Sequence, residues 1–75
     1  MSEMQKLIDQ VKQAADAELK FCDEIDTPYV CRMISTSEGK QKIVNLIVEY
    51  VGKNGMTIGE AINYIERENN PQLSN

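Results

Sequence analysis

The 75-residue sequence contains no histidine and only two cysteines, Cys22 and Cys31. Without histidine, the Cys–His pair of a thiol nucleophile cannot form, and two cysteines do not supply the four ligands of a tetrahedral zinc site. An acidic cluster, Asp23 to Asp26, lacks the spaced ligands and central glycine of a calcium loop. We therefore expect no catalytic, cofactor-binding or metal-binding residues, and a protein that is not an enzyme.

Long apolar segments are also absent. The longest apolar-rich run, residues 43–51, is interrupted by Asn45 and Glu49, so it is too short and too polar to span a bilayer. The first residues, Met1 to Gln5, do not place an apolar stretch after a basic one, as a secretory signal does. We expect no membrane partner and a cytoplasmic location. The two cysteines are then most simply reduced thiols, although the sequence leaves open whether they form a disulfide.

The sequence has no tryptophan and one phenylalanine, so any core must be built from isoleucine, valine, leucine and methionine. Hydrophobic residues make up 41% and charged residues 27%, which is typical of a globular protein. The net charge of −4 disfavours contact with phosphate backbones. We predict a single helical domain over residues 1–68, followed by a disordered C-terminal tail over residues 69–75.

Helical spacing is clearest at the start of the chain. Apolar residues between Met4 and Cys22 recur three and four positions apart, which predicts a first amphipathic helix. Thr27 followed by Pro28 is a favourable beginning for a short second helix through Ile34. An extended segment is the open alternative for residues 27–34, because several of them favour strands. We prefer the helix, since a lone strand would have no partner elsewhere in the chain.

A third helix is predicted from the serine-rich segment onwards. Ser35 and Glu38 have the spacing of a capping box, with Ser37 as an alternative cap. The helix runs to about Val51 or Lys53, where asparagine and glycine residues permit left-handed backbone.

A fourth helix is predicted from Thr57 to Glu68. Thr57 and Glu60 form a second possible capping box at its start. Together these elements predict an all-α fold: a small four-helix orthogonal bundle, with three main helices plus one short one and a C-terminal helical hairpin.

The third helix is apolar on nearly every side, because Asn45 and Glu49 lie on one narrow stripe. A small domain has little other structure with which to cover it. We therefore expect a homodimer or a helical partner protein, and a non-enzymatic protein–protein interaction module that acts as a small regulator or adaptor. The residues expected at the interface are Ile43, Leu46, Ile47, Tyr50 and Tyr64.

Residues 43–68, two helices joined by a glycine-containing turn, resemble helix-turn-helix DNA-binding modules in outline. The resemblance implies that the last helix would enter the major groove. That helix is expected to present Glu60, Glu66 and Glu68 on its outer face against the single Arg67, and carboxylates are repelled by phosphates. A DNA-binding regulator is therefore the alternative function, ranked below the interaction module, and we do not expect nucleic acid among the partners.

Overall fold

The chain forms four α-helices in a computed structural model, which describes residues 3–70. The helices are α1 (Glu3–Leu19), α2 (Pro28–Met33), α3 (Ser37–Asn54) and α4 (Ile58–Asn69). Helix α3 packs against each of the other three, and α4 also contacts α1 and α2. No strand occurs within residues 3–70. The predicted all-α bundle with a short second helix is confirmed, and the extended alternative for residues 27–34 is wrong.

The core lies where the apolar sides of the four helices meet. Its members are aliphatic, as the composition predicted, and α3 and α4 supply most of them. Burying one isoleucine or valine side chain contributes about 1.5–3 kcal/mol, so this cluster is the main source of stability. The buried apolar residues are Ala15, Leu19, Val30, Ile43, Val44, Ile47, Ala61, Ile62 and Ile65.

Helix α1 ends earlier than the apolar spacing predicted, at Leu19 rather than at Cys22. Beyond it, the backbone N–H groups of Phe21 and Cys22 close single turns onto Glu18 and Leu19, at 3.0 and 3.2 Å. The last turn of α1 contains Glu18 and no basic residue, and the acidic cluster begins at Asp23, four residues after the helix ends. Negative charge is unfavourable at the C-terminal end of the helix dipole, so these carboxylates disfavour continuing the helix through Cys22.

Helix α2 is held at its beginning by a carboxylate from α4. The N-cap residue, Thr27, makes no side-chain capping bond. Instead, the Glu66 carboxylate accepts hydrogen bonds from the backbone N–H groups of Tyr29, at 3.0 Å, and Val30, at 2.9 Å. Asn70 Nδ2 donates a third hydrogen bond to it at 2.8 Å. These backbone groups lie in the first helical turn, where no partner exists within the helix, so Glu66 caps α2 from another element.

The expectation that Glu66 lies on the outer face of the last helix is therefore wrong. Only 1% of the residue is exposed. A carboxylate is buried at low cost only where several donors surround it. The N-terminal end of α2 provides two such donors, the N–H groups of Tyr29 and Val30, and it is also the positive end of the helix dipole.

Helix α3 begins one residue away from both predicted caps. Thr36 is the N-cap, and its hydroxyl accepts a hydrogen bond from the Gly39 N–H at 3.1 Å. Ser35 instead donates its hydroxyl hydrogen to the Arg32 carbonyl at 2.6 Å, at the end of α2. Neighbouring hydroxyl residues are almost equally good caps, so the packing of α2 on α3 decides which of them is used.

Gly39 is the point where α2 meets α3. A Cβ atom on Gly39 would lie 1.9 Å from the carbonyl oxygen of Met33, the last residue of α2. Backbone cannot move away as a flexible side chain can, so only glycine allows this close approach.

The turn between α3 and α4 has the predicted chemistry. Gly55 adopts the left-handed conformation, with φ of 67°, and ends α3. The capping box at the start of α4 is confirmed: Thr57 Oγ1 accepts from the Glu60 N–H at 3.1 Å, and Glu60 Oε1 accepts from the Thr57 N–H at 2.9 Å. These two hydrogen bonds hold the hairpin connection in one conformation.

Helix α4 extends one residue beyond Glu68, where the predicted helix ends. Asn69 is still helical, and the Asn70 N–H donates to the Glu66 carbonyl at 2.9 Å. The rest of the predicted tail, residues 71–75, lies outside the described residues.

Two exposed carboxyl groups are tied to the fold by hydrogen bonds. Asp16 on α1 forms an ion pair with Lys40 on α3, and the hydrogen bond and charge of Lys40 lower the pKa of Asp16. The Thr57 backbone N–H, and then its side chain, lower the pKa of Glu60. Solvent weakens both effects, because both groups are exposed.

The contact at Gly39 predicts opposite effects for two glycine substitutions. Gly39→Ala drives a methyl group into the Met33 carbonyl and should lower the free energy of unfolding by about 2 kcal/mol or more. Gly52→Ala lies in α3 with no atom near its new methyl group, so it should raise that free energy by about 0.5–1 kcal/mol. Urea unfolding followed by circular dichroism measures both. A Gly39→Ala variant as stable as the wild type would show that the contact is wrong.

The buried cap at Glu66 predicts a large loss on truncation. Glu66→Ala leaves the buried Val30 N–H and the partly buried Tyr29 N–H without a partner and should cost about 2–4 kcal/mol of unfolding free energy. Glu66→Gln keeps an acceptor oxygen and should cost less. The matched control is Glu68→Ala, at an exposed glutamate one residue before the end of α4, which should change stability by about 0.5 kcal/mol at most. Equal effects at positions 66 and 68 in urea unfolding would contradict the assignment.

The lowered pKa of Glu60 predicts how stability depends on acid. Because the folded state lowers this pKa below its ordinary value of 4.5, the stabilisation is complete above pH 4.5 and is lost as the pH falls through the folded-state pKa. Glu60→Gln keeps an acceptor for the Thr57 N–H but does not titrate. Its unfolding free energy should therefore decline less steeply below pH 4.5 than that of the wild type. Urea unfolding at a series of pH values measures this. If the unfolding free energies of the wild type and Glu60→Gln declined in parallel below pH 4.5, the prediction would be contradicted.

Candidate interaction surface

The structure separates the five residues predicted at an interface into two groups. Ile43 and Ile47 are fully buried and lie at the centre of the core. They are therefore not accessible to a partner. Leu46 and Tyr50 are half-buried, and Tyr64 is 37% exposed. We call these last three residues the hairpin face, because they lie on α3 and α4.

An aromatic contact joins the two helices at this face. The rings of Tyr50 and Tyr64 lie with their centroids 5.1 Å apart and their planes at 82°, an edge-to-face arrangement. Such a pair contributes about 0.5–1.5 kcal/mol beyond the area that it buries. Leu46 lies one turn before Tyr50 on α3 and therefore on the same side of that helix. The contact holds both rings in defined positions at the protein surface.

Acidic residues border the hairpin face. Burial raises the pKa of Tyr50, and the neighbouring Tyr64, Glu49 and Glu68 raise it further. Glu49 also pairs with Lys53 at 3.5 Å, one turn further along α3. The face is thus aromatic and apolar at its centre, with Glu68 and the Glu49–Lys53 ion pair at its edge.

The large bare apolar surface expected on α3 is not found within residues 3–70. From residue 43 to 51, every apolar side chain is buried or half-buried. Leu46, Val48, Tyr50 and Val51 all pack against the core cluster. Helices α1, α2 and α4 cover α3 together, which weakens the reason for expecting a second copy of the chain.

The most exposed large apolar side chains lie elsewhere. Phe21 and Ile25, in the connection between α1 and α2, are each 87% exposed. Met4 and Leu7, at the start of α1, are 70% and 60% exposed. Phe21 lies beyond the end of α1, so its exposure follows from where that helix stops. Met4 and Leu7 fall on the apolar stripe of α1, but a stripe indicates which side of a helix faces the core and not how far the core extends.

No protein-family model matches the chain, and neither the curated proteins nor the solved structures give a significant match. Within the part of the chain that the structure describes, no helix has the length and apolar character needed to cross a membrane. The same residues contain no group of three or more acidic or cysteine side chains that could hold a metal ion.

Proposed function

We propose that the protein is a non-enzymatic protein-interaction module, a small regulator or adaptor, that binds an amphipathic helix of another protein on the hairpin face. The observation that carries the proposal is the edge-to-face contact of Tyr50 and Tyr64. Tyrosine is enriched in binding hot spots, because it offers a large apolar ring and a polar tip at a low cost in conformational entropy. Here the contact between the rings lowers that cost further.

A helix suits this face better than an extended peptide does. Leu46 and Tyr50 lie one turn apart on α3, and Tyr64 lies on α4, which packs against α3. The three side chains therefore border the line along which the two helices meet. A partner helix presents apolar side chains at the same one-turn spacing and can lay them along that line. No sheet edge for strand addition occurs within residues 3–70.

Charge favours a basic partner over a second copy of the chain. In a symmetric dimer through this face, each copy would bring Glu68, together with the Glu49–Lys53 ion pair, against a surface that carries the same groups. The net charge of −4 on each copy adds repulsion between the two. A helix with lysine or arginine beside its apolar stripe is complementary instead. The homodimer expected from the sequence thus becomes the competing outcome of the test.

DNA binding through α4 gains no supporting observation. Because Glu66 is buried, α4 exposes one carboxylate fewer than expected. Glu60 and Glu68 are still exposed to solvent, as is Arg67. Phosphates would meet more negative than positive charge there. We therefore keep the interaction module as the proposed function.

The test is a nuclear magnetic resonance titration of the isotope-labelled protein with two designed peptides. Both peptides form an amphipathic helix with leucine and isoleucine on one side; one is flanked by lysine and arginine, and the other by glutamate. We expect the basic peptide to shift the signals of Leu46, Tyr50 and Tyr64, and to bind at least about tenfold more tightly than the acidic one.

Matched variants assign the binding to the face. Tyr64→Ala should weaken the basic peptide about tenfold or more, as expected for an aromatic hot spot. Asn63→Ala changes the exposed residue beside it and should leave the affinity unchanged. Circular dichroism checks that both variants remain folded.

Three results would overturn the proposal. The first is a set of shifts centred on Phe21 and Ile25 rather than on the hairpin face. The second is equal binding of both peptides, or of neither. The third is a stable dimer in light scattering at micromolar concentration that Tyr64→Ala dissociates, because a second copy would then occupy the face.

A further inference from the structure

Two thiols meet at one hydroxyl group where α1 connects to α2. Cys22 follows the end of α1, and Cys31 lies within α2. The Thr27 Oγ1 atom lies 2.8 Å from the Cys22 Sγ and 3.8 Å from the Cys31 Sγ. Both cysteines are free and half-buried. The folded chain thus holds its only two sulfur nucleophiles against a common atom.

The Thr27 hydroxyl is free to contact the two sulfur atoms because Glu66, and not Thr27, caps α2. Thr27 is the N-cap residue by position but makes no side-chain capping bond. Its hydroxyl hydrogen is instead donated to the Asp23 carbonyl at 2.9 Å. The oxygen is therefore left as an acceptor, and the Cys22 S–H can donate to it. This arrangement orients the two thiols toward the same side of the junction.

We propose that Cys22 and Cys31 are a dithiol site that a small disulfide, such as oxidised glutathione, converts into an intramolecular disulfide. The Cys22 thiolate attacks one glutathione sulfur, forms a protein–glutathione mixed disulfide and releases one glutathione thiolate. The Cys31 thiolate then attacks the Cys22 sulfur and releases the second. The two protein thiols lose two electrons and two protons in total, and oxidised glutathione is reduced to two molecules of glutathione.

Cys22 is the sulfur through which the reaction begins. Burial, followed by the hydrogen bond with Cys22, raises the pKa of Cys31 to about 11, more than the Thr27 hydrogen bond lowers it. Only a thiolate attacks a disulfide, so Cys31 is a slow first nucleophile. Both thiols line open surface pockets, Cys22 beside Phe21 and Ile62 and Cys31 beside Pro28 and Arg32, so a small disulfide can approach either one and thiolate formation decides the order.

The disulfide would close a loop that contains an exposed apolar residue. Ile25 lies inside the loop and Phe21 immediately precedes it, and both are 87% exposed. A disulfide between Cys22 and Cys31 would fix the end of α1 to α2 and restrict this segment. Because a disulfide limits the unfolded chain, the oxidised protein should also melt at a higher temperature, by on the order of 10 °C.

The experiment equilibrates the folded 75-residue chain with reduced and oxidised glutathione, then quenches with acid. Mass spectrometry and maleimide labelling follow the products. We expect a monomer that has lost the mass of two hydrogen atoms and carries no glutathione. Cys31→Ser should stop at a mixed disulfide on Cys22, and Cys22→Ser should react at least about tenfold more slowly.

Two controls separate the effect of the fold from mere proximity in the sequence. In urea the same two thiols are close only along the chain, so the ratio of bridged to mixed disulfide should fall by about tenfold or more. The double variant Cys31→Ser/Arg32→Cys moves the thiol one position, about 100° around the helix. In buffer, this variant should show a ratio of bridged to mixed disulfide as low as that of the wild type in urea. In urea, the variant and the wild type should show the same ratio.

The proposal fails if the ratio is the same in buffer and in urea, or if the shifted thiol bridges as well as Cys31 does. It also fails if the folded wild type accumulates two bound glutathiones or disulfide-linked dimers.

Discussion

A buried carboxylate on α4 decides whether the shortest helix of the bundle exists. Helix α2 has six residues, fewer than a helix needs to persist in water without tertiary contacts. Its own N-cap makes no side-chain bond, and Glu66 supplies two acceptor contacts instead. The other end of α2 rests on Gly39, so its position also sets where α3 begins. The placement of α2 and the start of α3 thus depend on one residue of α4.

The capping of α2 by Glu66 also bears on both proposals, the dithiol site and the binding of a partner helix. With Glu66 as the cap of α2, the Thr27 hydroxyl lies between the two cysteines. With α2 in place, α3 is covered on several sides, and its half-buried apolar residues Leu46, Val48, Tyr50 and Val51 all pack against the core. The aromatic pair where α3 meets α4 offers a small, defined surface rather than the broad one that the sequence implied. A small surface of this kind fits a single partner helix better than an extensive dimer interface.

Local signals in the sequence were sufficient for the helices but not for their contacts. The capping box of Thr57 and Glu60 was predictable, because both partners lie within four residues. Glu66 was not, because its partners in α2 are more than thirty positions away and a charged residue between apolar positions normally faces solvent. Ile43 and Ile47 were assigned to a surface for a related reason. An apolar run shows that burial is needed, but only the arrangement of the other helices shows which side is covered.

Hydrogen exchange at the backbone amides of Tyr29 and Val30 tests the capping by Glu66 most directly. Amides in the first turn of a helix have no partner within it and normally exchange fast. If Glu66 holds them, both should exchange as slowly as the amide of Ile47 in the core, through opening of the whole domain. Exchange at the rate of an exposed amide, while Ile47 stays protected, would contradict the account.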